Sequence, residues 1–357
     1  MSIEISTAFC GGNAKDVSFD GKTIRFHPDI RDTEGDWFYW ALEVQGAGGM
    51  TLSFDMSPKS YVGYFGAAVS RDLHSWKWSD TANEDRTGFT YTFAPDENDV
   101  FFAHDMLYHP SDFYSFAEKH GLSVSILCTD RKGTPVPYLE IGRGSRVILL
   151  TARHHCCEST GNYEMEGIID EYMKNPLPDS RLVAIPFIDA DGVVAGDQGK
   201  NRFPHDHNRD YIDGIYPAVR AVRSIMGQGH TLAVFDLHSP WHLSGRNDKV
   251  FIVRNGTSDI EDFRLMGRCF ENEITPDAMR YRTSDDIDPG VEWNVSGSQR
   301  LACGSWCGTF PGVDLSFSLE TTYFGDKDDV VSQAKMVETG RCFWRGYLRY
   351  RAEKGLT

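Results

Sequence analysis

The chain has 357 residues and a formal net charge of −16, from 36 basic and 52 acidic side chains. This balance argues against nucleic acid and anionic membranes as main partners, because both would repel a strongly acidic protein. The sequence contains no apolar run of about 18 residues. Its first residues lack the basic and apolar parts of a secretory signal, so we expect a cytoplasmic protein. The eight cysteines follow no disulfide framework, which favours reduced thiols.

Residues 15–103 alternate short apolar or aromatic runs with Gly, Asp and Asn breaks. Such runs, at this spacing, are typical of strands joined by turns, and no helical pattern of useful length interrupts them. The sequence therefore predicts an antiparallel β-sandwich domain over residues 1–105.

Strands and helices alternate over the remainder of the chain. The predicted strands cover residues 147–151, 182–188, 231–237, 250–253 and 313–319, and the predicted helices cover residues 110–120, 163–174, 211–226, 260–274 and 328–350. This alternation predicts an α/β catalytic domain over residues 106–357, with a mixed, largely parallel sheet flanked by helices. Ligands bind at the carboxyl ends of strands in such sheets, and the unusual polar residues of this chain lie there.

The strand predicted at residues 147–151 leads directly into a run of metal-binding groups, His154 to Glu158. His155-x-x-Glu158 is typical of half a zinc site, because zinc accepts imidazole nitrogen and carboxylate oxygen. The pair His154-x-x-Cys157 has the same spacing and is an alternative. Considered alone, a His-x-x-Glu match is more often a chance or surface pair.

Two further strands end in candidate site residues. His238 follows the strand at residues 231–237, where it could supply a third metal ligand, and Glu320 follows the strand at residues 313–319. A carboxylate held at a strand end is suited to act as general base on metal-bound water. Each residue also has a structural explanation, as a core histidine or as a cap.

The loop at residues 189–210 concentrates Lys200, Arg202, Asn208 and Arg209 in an otherwise acidic protein. It is long and rich in glycine, which favours a functional loop over a simple connection. Arginine beside an amide is a good receiver for a carboxylate. The alternative is a solvated loop whose cations pair with its own aspartates.

Taken together, these motifs resemble the zinc metallocarboxypeptidases of the funnelin type. The matching elements, in chain order, are His155-x-x-Glu158, Asp191-Gly192, Asp206-x-Asn208-Arg209, His238-Ser239 and Glu320. The N-terminal runs, including residues 35–40, 70–76, 89–93 and 100–103, are similar to the β-sandwich that precedes the catalytic domain in cytosolic carboxypeptidases. The resemblance thus covers nearly the whole chain.

The resemblance implies one Zn²⁺ per chain and a role for each residue around it. His155, Glu158 and His238 would bind the metal, and Glu320 would be the general base and acid. Asp206 would accept a hydrogen bond from the other nitrogen of His155 and so fix its tautomer.

The resemblance also implies how a substrate is held. Asn208 and Arg209 would bind its terminal carboxylate. A further cation would polarise the scissile carbonyl, and Arg202 is the first candidate because no other arginine lies between Arg181 and Arg209. Lys200 is the second candidate.

The chain departs from the family pattern at two places. Cys156-Cys157 stands where cytosolic members usually have Pro-Gly, which puts two thiols beside the metal ligands. The family tyrosine between the third ligand and the general base has no clear match, since Tyr281 is the only tyrosine between His238 and Glu320. Catalysis assisted by a tyrosine is therefore in doubt.

The predicted function is hydrolysis of the C-terminal peptide bond of peptides or proteins. In the cytosolic branch the removed residue is often glutamate, and Arg254, Arg280 and Arg282 are candidate cations for an acidic specificity pocket. One alternative is a zinc amidohydrolase or deacylase acting on N-acyl amino acids or cell-wall stem peptides. Another is a binding module that retains the fold without catalysis. The sequence does not indicate the oligomeric state.

Overall fold

A computed structural model of the chain describes residues 3–295 and 301–356. Its N-terminal strands are β1 (Glu4–Ser6), β2 (Lys15–Phe19), β3 (Thr23–His27), β4 (Ala41–Gln45), β5 (Thr51–Asp55), β6 (Ala68–Ser70), β7 (Lys77–Trp78), β8 (Gly88–Thr92) and β9 (Asp99–Ala103). They form one sheet in the order β1-β4-β9-β6-β7 and a second in the order β2-β3-β5-β8. Neighbouring strands are antiparallel except β3 and β5, which pair in parallel. The second sheet is therefore mixed, which differs from the predicted antiparallel arrangement.

Aromatic side chains fill the space between these two sheets. Phe54 of β5 and Phe102 of β9 lie on different sheets, with ring centroids 4.7 Å apart. Phe89 of β8 contacts the same Phe102 ring at 5.8 Å. Along β8, buried Phe89 and Tyr91 alternate with exposed Thr90 and Thr92, as expected of a strand with one face on a core. The alternation of aromatic and polar residues in β8 thus indicates which face of the strand packs inward.

The C-terminal part contains a seven-stranded sheet, helices and a short hairpin. Its strands are β10 (Ser125–Thr129), β11 (Pro135–Gly142), β12 (Arg146–Ala152), β13 (Ser180–Ile185), β14 (Thr231–His238), β15 (Phe251–Val253), β16 (Leu315–Glu320), β17 (Gly325–Asp326) and β18 (Asp329–Val330). The sheet order is β10-β11-β13-β12-β14-β16-β15, and β17 pairs with β18. The central strands β13, β12, β14 and β16 are parallel, whereas the outer strands are antiparallel. The sheet is mixed, as predicted, but its parallel pairing is confined to the four central strands.

The helices are α1 (Pro110–Lys119), α2 (Thr160–Lys174), α3 (Ala190–Ala195), α4 (Pro217–Gly227), α5 (Ile260–Glu273), α6 (Cys303–Cys307) and α7 (Gln333–Glu353). Glycines let α2 and α7 approach closely, because a Cβ added at Gly167 would lie 1.9 Å from the carbonyl oxygen of Val337. In the part of the chain described, no helix is both long and apolar enough to cross a membrane.

Two predicted helices begin later than the sequence pattern indicated. The helix expected from residue 211 starts at Pro217, because the carboxylate of Asp210 accepts hydrogen bonds from the backbone N–H groups of Ile215 and Tyr216 and holds a turn there. The helix expected from residue 328 starts after Ser332, whose hydroxyl caps it by accepting from the N–H of Lys335. Polar side chains that bond local backbone groups thus set both boundaries.

The register of the parallel strands brings the candidate motifs together. Thr151 of β12 lies opposite Asp236 of β14, and His238 of β14 lies opposite Glu320 of β16. The carboxyl ends of these three strands therefore share one edge of the sheet, from which the following loops emerge.

Residues of the N-terminal part make hydrogen bonds and an ion pair to the loop that follows α3. Asn13 donates to the carbonyl of Gly196 at 2.6 Å, and the N–H of Tyr39 donates to the side chain of Gln198 at 2.9 Å. Arg31 also pairs with Asp197 at 2.9 Å. These contacts fix the start of the loop that carries the predicted substrate-binding residues.

Candidate metal centre and active site

Three buried side chains converge at the carboxyl end of the sheet. His155 and Glu158 lie in the turn after β12, and His238 is the last residue of β14. The Nδ1 atom of His155 is 2.8 Å from Oε1 of Glu158, and Nδ1 of His238 is 2.7 Å from Oε2 of the same carboxylate. The two imidazole ring centroids are 4.9 Å apart. His155, Glu158 and His238 thus present two imidazole nitrogens and a carboxylate to one point.

This donor set fits a metal ion. One donor atom from each of the three residues lies within 4.8 Å of the others, and two imidazoles with one carboxylate are a known catalytic zinc set. Burial lowers the pKa of His155 to about 4, although the charge of Glu158 opposes this. This favours the neutral imidazole that a metal ligand must be. Burial would also lower the pKa of His238, but Asp236 and Glu158 together raise it well above its usual value, so metal binding there would displace a proton.

Glu320 lies beside the three candidate ligands at the end of β16. The residue is buried, and its Oε2 atom has no hydrogen-bond partner within the described residues. Burial raises the pKa of Glu320 to about 7; His238 lowers it and Glu158 raises it. A carboxyl group with this pKa can both accept and donate a proton near neutral pH.

Two cations of the loop after α3 are available beside this centre. The Nζ atom of Lys200 lies 3.4 Å from Nδ1 of His155 and 5.8 Å from the ring centroid of Trp37, which belongs to the N-terminal part. Arg209 donates to the carbonyl of Asn208 at 3.3 Å. Across the described residues, no ion pair involves Lys200 or Arg209, so both charges are open to a ligand.

Arg202, by contrast, does not fit the role predicted for it. Its Nε atom is 2.9 Å from Asp32, and its two terminal nitrogens are 2.5 Å from Asp189 and 3.2 Å from Asp197. Its guanidinium is occupied by three carboxylates and is mostly buried. These contacts give no support to the assignment of Arg202 to the scissile carbonyl, which stays a prediction, and they connect the loop to its surroundings. Lys200, the second candidate, is the one that faces the centre.

Asn208 and Asp206 lie close to the ligands, in orientations that differ from those expected. The Oδ1 atom of Asn208 accepts from the N–H of Cys303 at 2.8 Å, and its Nδ2 atom is 3.3 Å from Nε2 of His238. The amide is therefore turned toward the protein interior. Asp206 is 3.9 Å from Nε2 of His155, which is beyond hydrogen-bond length, so the predicted bond is not formed.

The alternative ligand pair of His154 and Cys157 is not brought together. Nδ1 of His154 lies 2.8 Å from Asp236, whereas Sγ of Cys157 lies 3.9 Å from the hydroxyl of Tyr323. Among the residues described, Cys157 belongs to no group of converging donors. The structure therefore gives this alternative no support.

Two of the three arginines considered for an acidic specificity pocket form ion pairs with aspartates. Arg254 pairs with Asp286 and Asp288, each at 2.7 Å, and Arg280 lies 3.6 Å from Asp326. Arg282 lines a surface cavity that contains none of the candidate catalytic residues. These positions lend no support to an acidic specificity pocket.

The hydroxyl of Tyr281 is also bonded to another buried group. Its hydroxyl donates to the buried carboxylate of Asp286, at 2.8 and 2.9 Å to the two oxygens. Its position gives no support to catalysis assisted by a tyrosine.

Residues that the sequence analysis did not select lie directly behind the candidate ligands. Oδ2 of Asp236 is 2.7 Å from Nε2 of His238, and Thr151 donates to Oδ1 of Asp236 at 2.7 Å. His154 lies between Asp236 and the hydroxyl of Tyr211, which is 2.7 Å from its Nε2 atom. The available signal was a charged residue, Asp236, inside an otherwise apolar strand.

The chain is similar to known proteins both in sequence and in fold. No family model matches it. An uncharacterized protein of Zymomonas mobilis is 25% identical over 356 residues, which cover 92% of this chain and 90% of that protein. Cytosolic carboxypeptidase 2 of Xenopus tropicalis is 24% identical over 282 residues, or 71% of this chain. The chain spans only 27% of the length of that relative.

Solved structures share the fold over almost the full chain. A metallo-carboxypeptidase from Burkholderia cenocepacia superposes with a TM-score of 0.77 and 18% identity, covering 99% of this chain and 100% of that one. The resemblance to cytosolic carboxypeptidase-like metallocarboxypeptidases is confirmed. A metallo-carboxypeptidase from Pseudomonas aeruginosa, in complex with (2-guanidinoethylmercapto)succinic acid, gives a TM-score of 0.78 at 18% identity and covers 98% of this chain and 99% of that one. The fold match spans the N-terminal sheets as well as the larger sheet.

Proposed function

We propose that this protein is a zinc-dependent metallocarboxypeptidase that hydrolyses the C-terminal peptide bond of peptides or proteins. The observation that carries the proposal is the convergence of His155, Glu158 and His238 on one point, with the unpaired carboxyl of Glu320 beside them. The similarity to cytosolic carboxypeptidases supports the same class of enzyme. It also supports action in the cytoplasm on peptide or protein C-termini.

His155, Glu158 and His238 would hold the zinc ion, which when bound supplies a Lewis acid and an acidified water. Glu320 would take the proton of the attacking water and then deliver it to the amine that leaves. Its buried position and its pKa of about 7 suit both steps. Because Glu320 is the last residue of a central strand, its backbone is held by the sheet.

Arg209 would bind the terminal carboxylate of the substrate. Its charge has no carboxylate partner among the described residues, and a guanidinium can meet a carboxylate with two hydrogen bonds. Lys200 would face the scissile carbonyl, since it lies 3.4 Å from a ligand imidazole. A cation there would stabilise negative charge that develops on the carbonyl oxygen. We include no preference for acidic residues, because Arg254 and Arg280 are already paired.

We also propose that residues 1–105 form a β-sandwich domain and residues 106–357 the catalytic domain. Two facing sheets before residue 104 and a separate seven-stranded sheet after it support this division. The contacts from Asn13 and Tyr39 to the loop after α3 support a role for the first domain in holding substrate-binding residues.

The test is release of C-terminal residues from a mixed-terminus peptide library by the zinc-loaded protein, read by mass spectrometry. We expect single residues to be released, and Glu320→Gln to abolish release while still binding zinc. Amidated peptides should resist, because they lack the carboxylate that Arg209 would bind. If N-acyl amino acids are cleaved and no free peptide is, the protein is a deacylase and the proposal fails.

A further inference from the structure

The carboxylate of Asp236 lies directly behind a candidate metal ligand and is fully buried in the central strand β14. A charge in such a position is costly unless its oxygens are hydrogen-bonded. Here Oδ2 is 2.7 Å from Nε2 of His238, and Oδ1 accepts from the hydroxyl of Thr151 at 2.7 Å. Nδ1 of His154 also lies 2.8 Å from Oδ1 of Asp236. Each oxygen thus has at least one polar neighbour at short range.

The strand register explains how Asp236 is held. Thr151 lies opposite Asp236 in the parallel pair of β12 and β14, so the hydroxyl and carboxylate are neighbours across the sheet. His154 follows β12 by two residues, and its other nitrogen lies 2.7 Å from the hydroxyl of Tyr211. The position of the carboxylate is therefore set by two strands and a side chain that is itself anchored.

The contact to Asp236 decides which nitrogen of His238 keeps its proton when a metal ion is bound. A neutral imidazole has one N–H and one lone pair, and a carboxylate can only accept a hydrogen bond. Both nitrogens of His238 face carboxylates at 2.7 Å, Nε2 toward Asp236 and Nδ1 toward Glu158. A metal ion bound beside Glu158 would displace the proton of Nδ1, and the proton on Nε2 would stay against Asp236. The amide nitrogen of Asn208 also lies 3.3 Å from Nε2, but it is a donor and cannot accept this proton.

The other candidate imidazole ligand lacks such a partner. Nε2 of His155 makes no hydrogen bond within the described residues, and its nearest carboxylate, Asp206, is 3.9 Å away. The protein therefore orients the two imidazoles unequally, with His238 the more firmly held.

We propose that Asp236, anchored by Thr151 and His154, is a positioning residue that fixes the Nε2–H tautomer and the ring orientation of His238. This keeps Nδ1 of His238 aimed at the metal position. The inference rests on the proposed metal site.

The first test is the substitution Asp236→Asn, which keeps the size of the side chain and removes its charge. Loss of a carboxylate behind a metal-binding histidine lowers metal affinity by about 10–100-fold, and we expect a loss in this range for Zn²⁺, measured by competition with a chromophoric chelator. The matched control is Asp286→Asn, another buried carboxylate, which bonds Arg254 and Tyr281 away from this centre. It should leave zinc affinity unchanged.

The second test reads the tautomer directly, by NMR of ¹⁵N-labelled histidine in the zinc-loaded protein. We expect His238 to carry its proton on Nε2 in the native protein and to lose this preference in Asp236→Asn. If Asp236→Asn does not fold, Thr151→Val removes one hydrogen bond to the carboxylate and should weaken zinc binding by a smaller factor.

Zinc affinity that is unchanged in the variant, or a native His238 protonated on Nδ1, would overturn the inference. Neither measurement uses a peptide. A protein that cleaves no peptide but loses zinc affinity in Asp236→Asn would therefore refute the proposed carboxypeptidase and still support the positioning role.

Discussion

Replacing Arg202 with Met should reduce stability sharply. Met keeps much of the side-chain volume but removes the positive charge that pairs with Asp32, Asp189 and Asp197. The side chains of these four residues are each at most 13% exposed, so solvent screens their charges weakly. Removing one partner from a buried ion pair costs about 3–5 kcal/mol, because the remaining charges stay buried without compensation. We expect a loss of stability of about this size.

The loss should also depend on pH. Burial raises the pKa values of Asp189 and Asp197, and Arg202 opposes that rise at both residues. Without Arg202 both pKa values should rise further, so the folded variant would bind protons that the unfolded chain releases. Stability then falls as pH rises above the pKa of an unfolded aspartate, about 4. The deficit relative to the native protein should therefore be larger at pH 8 than at pH 5.

The assay is denaturant unfolding of both proteins at pH 5 and pH 8, with Arg25→Met as the control. Arg25 pairs with Asp20 at the surface, where half of each side chain is exposed, so its loss should change stability little. A small stability change for Arg202→Met, together with a large fall in kcat, would refute the structural role and return Arg202 to catalysis.

Three further predictions test other parts of the site and core. Arg209→Ala should lower kcat/KM for peptides with a free C-terminal carboxylate by about 10-fold or more, since a charge-assisted hydrogen bond contributes about 1.5–3 kcal/mol; an unchanged kcat/KM would contradict the assignment. Burial raises the pKa of Glu164 to about 8, so the stability of the native protein should fall as the pH rises from about 4.5 to about 8. At pH 8.5 the variant Glu164→Gln should be more stable than the native protein by a few kcal/mol. Parallel pH profiles of stability for the two proteins would argue against a buried neutral carboxyl. Zinc at 100 times its Kd should stabilise the protein by about 2.7 kcal/mol, measured by unfolding with and without chelator, and Glu158→Gln should lose most of this gain.

The sequence by itself predicted the candidate ligand set and determined the alternation of strands and helices. His155, Glu158, His238 and Glu320 all follow apolar runs, and the ends of parallel strands must meet at one edge of a sheet. Periodicity and turn residues were sufficient for this step because they depend on local geometry. The mixed pairing of β3 and β5 is not local, and no pattern within either strand records it.

The tertiary structure decided which charged residues are free. Arg202 and Lys200 are two positions apart in the same loop, and their sequence context is alike. Only the fold brings Asp32 from the N-terminal sheets onto Arg202 and leaves Lys200 facing His155. The same holds for Asp236, whose partners Thr151 and His154 belong to another strand and the turn that follows it. The partners of a buried charge depend on which distant segments pack against it, and the neighbouring sequence does not show which segments those are.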